Sequence, residues 1–356
     1  MIICRTPFRI SFFGGSTDYP EWYRAHGGAT LGTAINKYCY ITCRFLPPFF
    51  AHRIRLVYSV IEDCQTVSDI KHPAARAVLD HLKFDRGLEI HHDADLPARS
   101  GIGSSSAFTV GLLQAGYALQ GHMASQEQLS RESIHIEQDV LRETVGSQDQ
   151  VLAAYGGFNH LTFSRDGDIQ VRPVTISRER IELLESHLML FFTGIARTAS
   201  SIAETYVPHL RDGVHERLMK TLRAMVDEGL GILWDGRDID RFGTLLHAAW
   251  DAKRELGSKV SNPKVDFIYQ HALRAGATGG KLLGAGGGGF LLLFVPPSAQ
   301  LRVRKELSTL IHVPFRFQCG GSRIIFVAPE EDYAAEDGHR AIQNLSSFEE
   351  IADEKV

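Results

Sequence analysis

The chain has 356 residues, 44% of them hydrophobic, and a formal net charge of -4. That size and composition suit a globular protein of two domains, and the lack of a general basic field argues against nucleic acid as a partner. The longest apolar runs, such as Phe290 to Val295, are too short to cross a bilayer and no basic, apolar leader opens the sequence, so no membrane partner and a cytoplasmic location are expected.

Five cysteines form no C-x-x-C pair, and sixteen histidines include no H-E-x-x-H frame, which favours reduced, mostly buried thiols over a disulfide frame or a zinc site. Strand-forming alternation runs from Cys4 to Phe13 and again from Tyr38 to Leu46. Between them GGSTDYPEW (Gly14 to Trp22) concentrates residues that make a turn with free backbone amides. LEIHHDADLP is a further strand, ended by Pro97.

The next stretch, PARSGIGSSSA (Pro97 to Ala107), is a glycine loop of neither common kind. Ser106 stands where a dinucleotide fingerprint needs its third glycine, and no Gly-Lys pair completes a P-loop. Phe108, Leu112, Ala115 and Leu119 recur at helical spacing and predict a helix over 104–119. Gly101 and Gly103 let the backbone approach a ligand, and the amides of the first helical turn favour an anion. The hydroxyls at 104, 105 and 106 can also ligate a hard cation. A serine-capped helix after a glycine turn is the structural alternative.

Ser125 with Gln128 forms a capping box that starts a second helix, expected to stop near Gly146. Glu137 lies in its apolar stretch IHIEQDVL and is a candidate metal ligand; an exposed or ion-paired glutamate is the alternative. Asp149, in GSQDQ just beyond, is placed to orient a substrate hydroxyl or to cap a helix. ESHLMLFFTG then predicts a buried strand that opens a second domain near residue 186, dividing the chain into 1–185 and 186–356. Helical stretches follow at Ile202 to Tyr206, Val214 to Leu233 and Phe242 to Arg254. GAGGGGF (Gly284 to Phe290) places five glycines in six positions before a strand, a density that calls for close packing against another loop. SRIIFVA is the last strand, and the acidic end is open between a helical tail and disorder.

In chain order, PFRISFFGGSTDY (Pro7 to Tyr19), PARSGIGSSSA and KLLGAGGGG (Lys281 to Gly289) resemble the three motifs of the GHMP small-molecule kinases. The resemblance implies an α+β fold, with a ribosomal S5 domain 2-like N-terminal domain and a ferredoxin-like C-terminal domain. It implies ATP and Mg2+ as cofactors, with Pro97, Arg99, Gly101, Ile102, Gly103, Ser104, Ser105 and Ser106 around the phosphates and Ser105 and Glu137 on the metal. Asp149 and Arg9 take the catalytic roles. Gly14, Gly15, Ser16, Thr17, Asp18, Thr193, Gly286 and Gly287 face the sugar, and Arg197 and Lys281 are candidate anchors for a substrate phosphate.

Galactokinases carry a Glu-His pair where this chain has Gly15-Ser16. FFGGSTDYPEWY, EQDVLRETVGSQDQVLAAYGGFNHLTF and FFTGIARTAS are most similar to D-glycero-D-manno-heptose 7-phosphate kinases and to the kinase half of fucokinase-type proteins. The heptose-kinase motif has a third glycine where Ser16 stands. The reaction this implies is phosphorylation of the anomeric O1 of heptose 7-phosphate to the 1,7-bisphosphate, for nucleotide-heptose synthesis. Another sugar 1-kinase and a non-catalytic sugar and ATP sensor are the alternatives. The partners implied are a small sugar phosphate and ATP, and a homodimer is left open.

Overall fold

Pro7 sits inside a strand, where its missing amide hydrogen would break a ladder bond, and the sheet absorbs it with a bulge. Strand β1 (Ile2–Phe13) runs antiparallel to β2 (Gly28–Phe45), with Pro7 opposite Tyr38 but Phe8 opposite Ile35, so the register slips at the proline. From Phe8 onward β1 is buried on both faces, although the run Phe8 to Phe13 is interrupted by Arg9 and Ser11, so these two polar side chains are buried with it. The computed structural model describes residues 1–195, 202–210, 212–234, 236, 238–329 and 333–343.

The turn after β1 leads into helix α1 (Pro20–His26), which begins on a proline. Beyond β2, strands β3 (Ile54–Val57) and β4 (Ile61–Cys64) form a hairpin, helix α2 (Pro73–Leu82) follows, and β5 (Leu88–Ala94) returns to the sheet. Helix α3 (Ser104–Leu119) has the predicted bounds and packs across β1 and β2. The next helix differs from expectation. α4 (Gln126–His135) has its Ser125 cap, with the Ser125 hydroxyl accepting from the Gln128 amide, but it gives way at Ile136 to a wider turn. There Leu141 N donates to Ile136 O, five residues back, and the helix ends at Val140 instead of near Gly146. Helix α5 (Gln148–Tyr155) then carries Asp149 in its first turn.

Strands β6 (Phe158–Phe163) and β7 (Ile169–Pro173) extend the first sheet, and helix α6 (Arg178–His187), which the sequence reading passed over, leads into β8 (Leu188–Phe192). Helices α7 (Glu216–Trp234) and α8 (Asp240–Arg254) follow, then strands β9 (Gly279–Leu282), β10 (Phe290–Phe294), β11 (Ile311–Val313) and β12 (Arg323–Val327). The first sheet has the order β12-β1-β2-β5-β3-β4, with β6 and β7 continuing from β2, and the second is β11-β8-β10-β9. The strand at residue 188 thus begins a second sheet, but the chain crosses back afterwards. β12 pairs with β1, so residues 323–327 lie with the N-terminal sheet although a division at 185 assigns them to the C-terminal one. Four of the five cysteines are buried and none is bonded to another; Cys319 is exposed.

The two glycine-rich motifs meet backbone to backbone. Gly101 (φ 84°) and Gly284 (φ 71°) are both left-handed, and a Cβ on Gly284 would stand 2.6 Å from Gly101 Cα, while one on Gly101 would stand 2.4 Å from Leu283 O. The glycine density before β10 therefore has the packing purpose expected of it. Gly284→Ala should lower the unfolding free energy by about 2–4 kcal/mol, combining backbone strain with the collision, as measured by urea denaturation.

Candidate active site

A cleft of about 790 Å³ lies where the start of α3, the turn after β1, the start of α5 and the β9–β10 loop converge. One floor of it is an ion pair. Arg9 on β1 donates from Nε to Asp149 Oδ1 at 2.6 Å and from Nη2 to Asp149 Oδ2, a bidentate grip that fixes the carboxylate plane. Its third nitrogen, Nη1, donates to Gly101 O at 2.6 Å, and its backbone N donates to Ile102 O at 3.1 Å. The same residue thus orients Asp149 and holds the glycine loop.

Asp18 lies alongside, buried, accepting from Ser16 N at 3.0 Å and from Gln148 N at 3.3 Å. Burial, reinforced by the negative charge of Asp149, raises its pKa to about 6. Ser16 holds a left-handed backbone (φ 85°) that glycine adopts at less cost, and its hydroxyl lies 3.3 Å from the Tyr206 hydroxyl. Ser16 thus stands in a conformation that suits the glycine of the heptose-kinase motif.

Across the start of α3, the wider turn after α4 aims Glu137 inward. Its Oε2 accepts from Ser106 Oγ at 2.9 Å and from Gln150 Nε2 at 2.5 Å, whereas Oε1 is buried with no hydrogen-bond partner among the described residues. Burial pushes the carboxyl up to about 7, against the hydrogen bonds that favour its charged form. A buried carboxylate oxygen with nothing to accept from, beside the amides and hydroxyls of a helix start, fits a hard divalent cation shared with phosphates. The hydroxyl that meets Glu137 belongs to Ser106. Ser105, one residue and about 100° further round the helix, is exposed on the cleft; its carbonyl accepts from the Thr109 hydroxyl at 3.2 Å, while its own hydroxyl has no hydrogen-bond partner among the described residues.

Two buried lysines border the opposite side. Lys281 donates to Phe12 O at 2.8 Å and Lys253 to Gly284 O at 2.6 Å. Burial lowers Lys253 to about 8, and burial together with Lys253 and Arg9 holds Lys281 well below the usual ammonium range. Lys253 escaped the motif-based reading. Its signal was periodicity: it continues the buried stripe Phe242, Leu246, Ala249 and Trp250 of α8, where a lysine has no structural reason to be. The far end of the cleft is aromatic, with His72 against Phe108 at 4.7 Å and His92 against Phe108 at 5.1 Å. Burial lowers the pKa of both histidines.

Comparison with known proteins gives this geometry its family. Residues 68–157 match the GHMP kinases N terminal domain and residues 218–312 match the GHMP kinases C terminal domain, together just over half of the chain. The chain belongs to the GHMP kinases. It is 29% identical over 317 residues to a D-glycero-alpha-D-manno-heptose 7-phosphate kinase of Campylobacter jejuni, covering 85% of this chain and 92% of that protein. It is 27% identical over 343 residues to an L-fucokinase/L-fucose-1-P guanylyltransferase of Bacteroides fragilis, covering 85% of this chain and 36% of that longer protein. A solved D-glycero-D-manno-heptose 1-phosphate kinase from Bacteroides thetaiotaomicron superposes with a TM-score of 0.75 at 23% identity, covering 92% of this chain and all of that one. This GHMP kinase is an ATP-dependent phosphotransferase of α+β fold, and no helix among the described residues is long and apolar enough to cross a membrane.

Of the residues that the motifs assigned to ligands, Arg9, Gly15, Ser16, Asp18, Arg99, Gly101, Gly103, Ser104, Ser105, Ser106, Glu137, Asp149, Lys281 and Gly286 border the cleft of this kinase. Six do not, and each has another task. Gly14 and Thr17 close the turn, Gly14 O accepting from Thr17 N and Oγ1. Thr193 donates to Gly289 O from both N and Oγ1. Gly287 is occupied by Val260 O and the Asn262 amide. Ile102 is fully buried in the core, and Pro97 O accepts from the Ser100 hydroxyl. Arg197 lies outside the described residues.

Alongside Asp18, which is raised in the same direction, Glu137 makes one contribution to the pH dependence of stability. Its folded pKa of about 7 lies above the ordinary 4.5, so the protein has its full contribution below the lower value and loses it as pH rises through 7. Glu137→Gln removes that loss. In metal-free buffer the variant should gain on the wild type by about 3 kcal/mol between pH 4.5 and pH 8, read by urea denaturation at each pH.

Proposed function

We propose that the protein is a sugar kinase that transfers the γ-phosphoryl group of ATP to the anomeric hydroxyl of D-glycero-D-manno-heptose 7-phosphate, giving the 1,7-bisphosphate. One observation carries the reading: an aspartate clamped bidentately by Arg9 shares a cleft with a helix start suited to phosphates and with the free oxygen of Glu137. The amides of Gly103 to Ser106 and the dipole of α3 hold the phosphates, and the aromatic end at His72, His92 and Phe108 receives the base. Glu137 and Ser105 would hold Mg2+, while Ser106 and Gln150 orient Glu137 through its other oxygen. Bound magnesium neutralises charge on the phosphate oxygens.

Asp149 accepts the proton of the attacking hydroxyl, or its hydrogen bond, at the carboxylate that Arg9 keeps in place. Arg9 also lends positive charge close to the transferring group. Asp18 binds hydroxyls of the sugar. Lys253 and Lys281 have only carbonyl oxygens as hydrogen-bond acceptors among the described residues, and an anion bound beside them would offset the burial that disfavours their charged form, which suits an acceptor that already bears a phosphate. Similarity to the Campylobacter jejuni heptose 7-phosphate kinase points to the same sugar.

A panel of heptose 7-phosphate, unphosphorylated heptose, L-fucose, galactose and mannose, assayed for ADP release, tests this. Heptose 7-phosphate should lead the panel in kcat/KM, and Asp149→Ala should reduce kcat by about 10³-fold while ATP affinity stays within about twofold. Preference for an unphosphorylated sugar replaces the substrate, and unchanged turnover in the variant removes Asp149 from the mechanism.

A further inference from the structure

Beside the Arg9–Asp149 pair, two polar side chains are buried with unused hydrogen-bonding capacity. Ser11 is 5% exposed and Gln148 7% exposed, both border the cleft, and neither Ser11 Oγ nor Gln148 Oε1 has a partner among the described residues. Native proteins seldom leave such atoms unsatisfied, because their desolvation is not repaid by a bond. The two come from separate elements, β1 and the first turn of α5, yet they converge on one point. A Cβ built on Gly15 would stand 3.6 Å from Ser11 Oγ and 3.7 Å from Gln148 Nε2. Gly15 thus leaves room beside the Ser11 hydroxyl and the amide group of Gln148, whose nitrogen is the atom nearest to it.

Gln148 is also tied to the reacting end. Its backbone amide donates to Asp18 Oδ2 at 3.3 Å, and the next residue is Asp149. Whatever its side chain holds is therefore held in register with both carboxylates.

We propose that Ser11 and Gln148 form a recognition pair for neutral hydroxyls of the acceptor, seating the sugar over Gly15 so that one alcohol faces Asp149. The chemistry matches a polyol: the amide offers an acceptor and donors, the serine hydroxyl serves as either, and neither brings charge. The pair selects hydroxyls and leaves any anionic group of the substrate to Lys253 and Lys281. This rests on the reading above that the Asp149 end of the cleft takes the acceptor.

Ser11→Ala, Gln148→Leu and Gly15→Ala test the pair. Gly15 has no left-handed backbone, and a methyl there makes only ordinary contacts, so Gly15→Ala fills the space without straining the fold. Sugar binding is measured by isothermal titration with heptose 7-phosphate and with the unphosphorylated sugars of the panel, and turnover by ADP release. Each variant should raise the sugar dissociation constant and KM about tenfold, with the KM for ATP within about twofold and kcat at saturating sugar within about threefold. A variant that merely displaced Asp149 would lower kcat instead, and that result overturns the proposal. Should Gln148→Leu fail to fold, the other two variants carry the test. If the wild type phosphorylates a sugar and the variants bind it equally well, the pair is wrong and the kinase reading stands. If the wild type binds sugar, the variants lose that binding and no phosphoryl is transferred, the pair stands and the kinase reading falls. A wild type that binds no sugar overturns both.

Discussion

The Arg9 side chain is the tie on which the site depends. Through one guanidinium and its own backbone amide it joins β1 to the start of α5 and to the glycine loop ahead of α3. These segments are 92 and 140 residues away in sequence, so nothing local positions them relative to one another. A planar donor fork can satisfy a carboxylate and a carbonyl together, which a lysine could not do with the same geometry. The glycines complete the assembly. Gly103 lies against the Arg9 stem and Gly101 against Gly284, so the first, second and third motifs touch through surfaces that leave no room for a side chain.

Around that tie the protein concentrates charge in places where charge is costly. Asp18, Glu137, Lys253 and Lys281 are all buried, and each is displaced from its ordinary pKa chiefly by desolvation. A fold optimised for stability alone would replace them with apolar residues of similar volume. Their arrangement makes sense for a ligand that brings opposite charges to both sides: a cation toward Glu137 and anionic oxygens toward the lysines and the start of α3. The empty-handed oxygen of Glu137 and the unused hydroxyl of Ser11 belong to the same pattern, in which polar capacity is retained for something bound. The wider turn that presents Glu137 shows how locally this is done, since one extra residue in the helix end re-aims a side chain without disturbing the Ser125 cap.

Helix α3 was legible in the sequence because its apolar spacing and the preceding glycines agree, and both ends fell where that pattern places them. The glycine run before β10 could be assigned to loop packing for a similar reason: its entropic cost demands a contact. The short hairpin β3–β4 and helix α6 are short elements held by tertiary contacts, whereas helix α2, with Pro73 at its start and Ala74, Val78 and Leu82 on one buried face, was legible in the sequence but not read from it. Among site residues, the motifs led to Arg9, Asp18, Glu137 and Asp149, all of which border one cleft. They also drew in Gly14, Thr17, Thr193 and Gly287, whose task is to hold backbone to backbone. A motif marks what a loop needs in order to form as well as what it presents to a ligand, and sequence does not separate the two.

Sequence by itself determined the kind of chemistry available: an anion-binding helix start, acidic side chains in apolar surroundings, and glycines where backbones must approach. Local spacing and residue type suffice for those because they are properties of a turn or a helix face. Only the tertiary structure decided that Ser106, and not Ser105, meets Glu137, that Lys253 stands beside Lys281, and that Ser11 and Gln148 converge over Gly15. Each of these depends on side-chain direction across elements far apart in the chain, and that direction exists only once the strands have paired and the helices have packed.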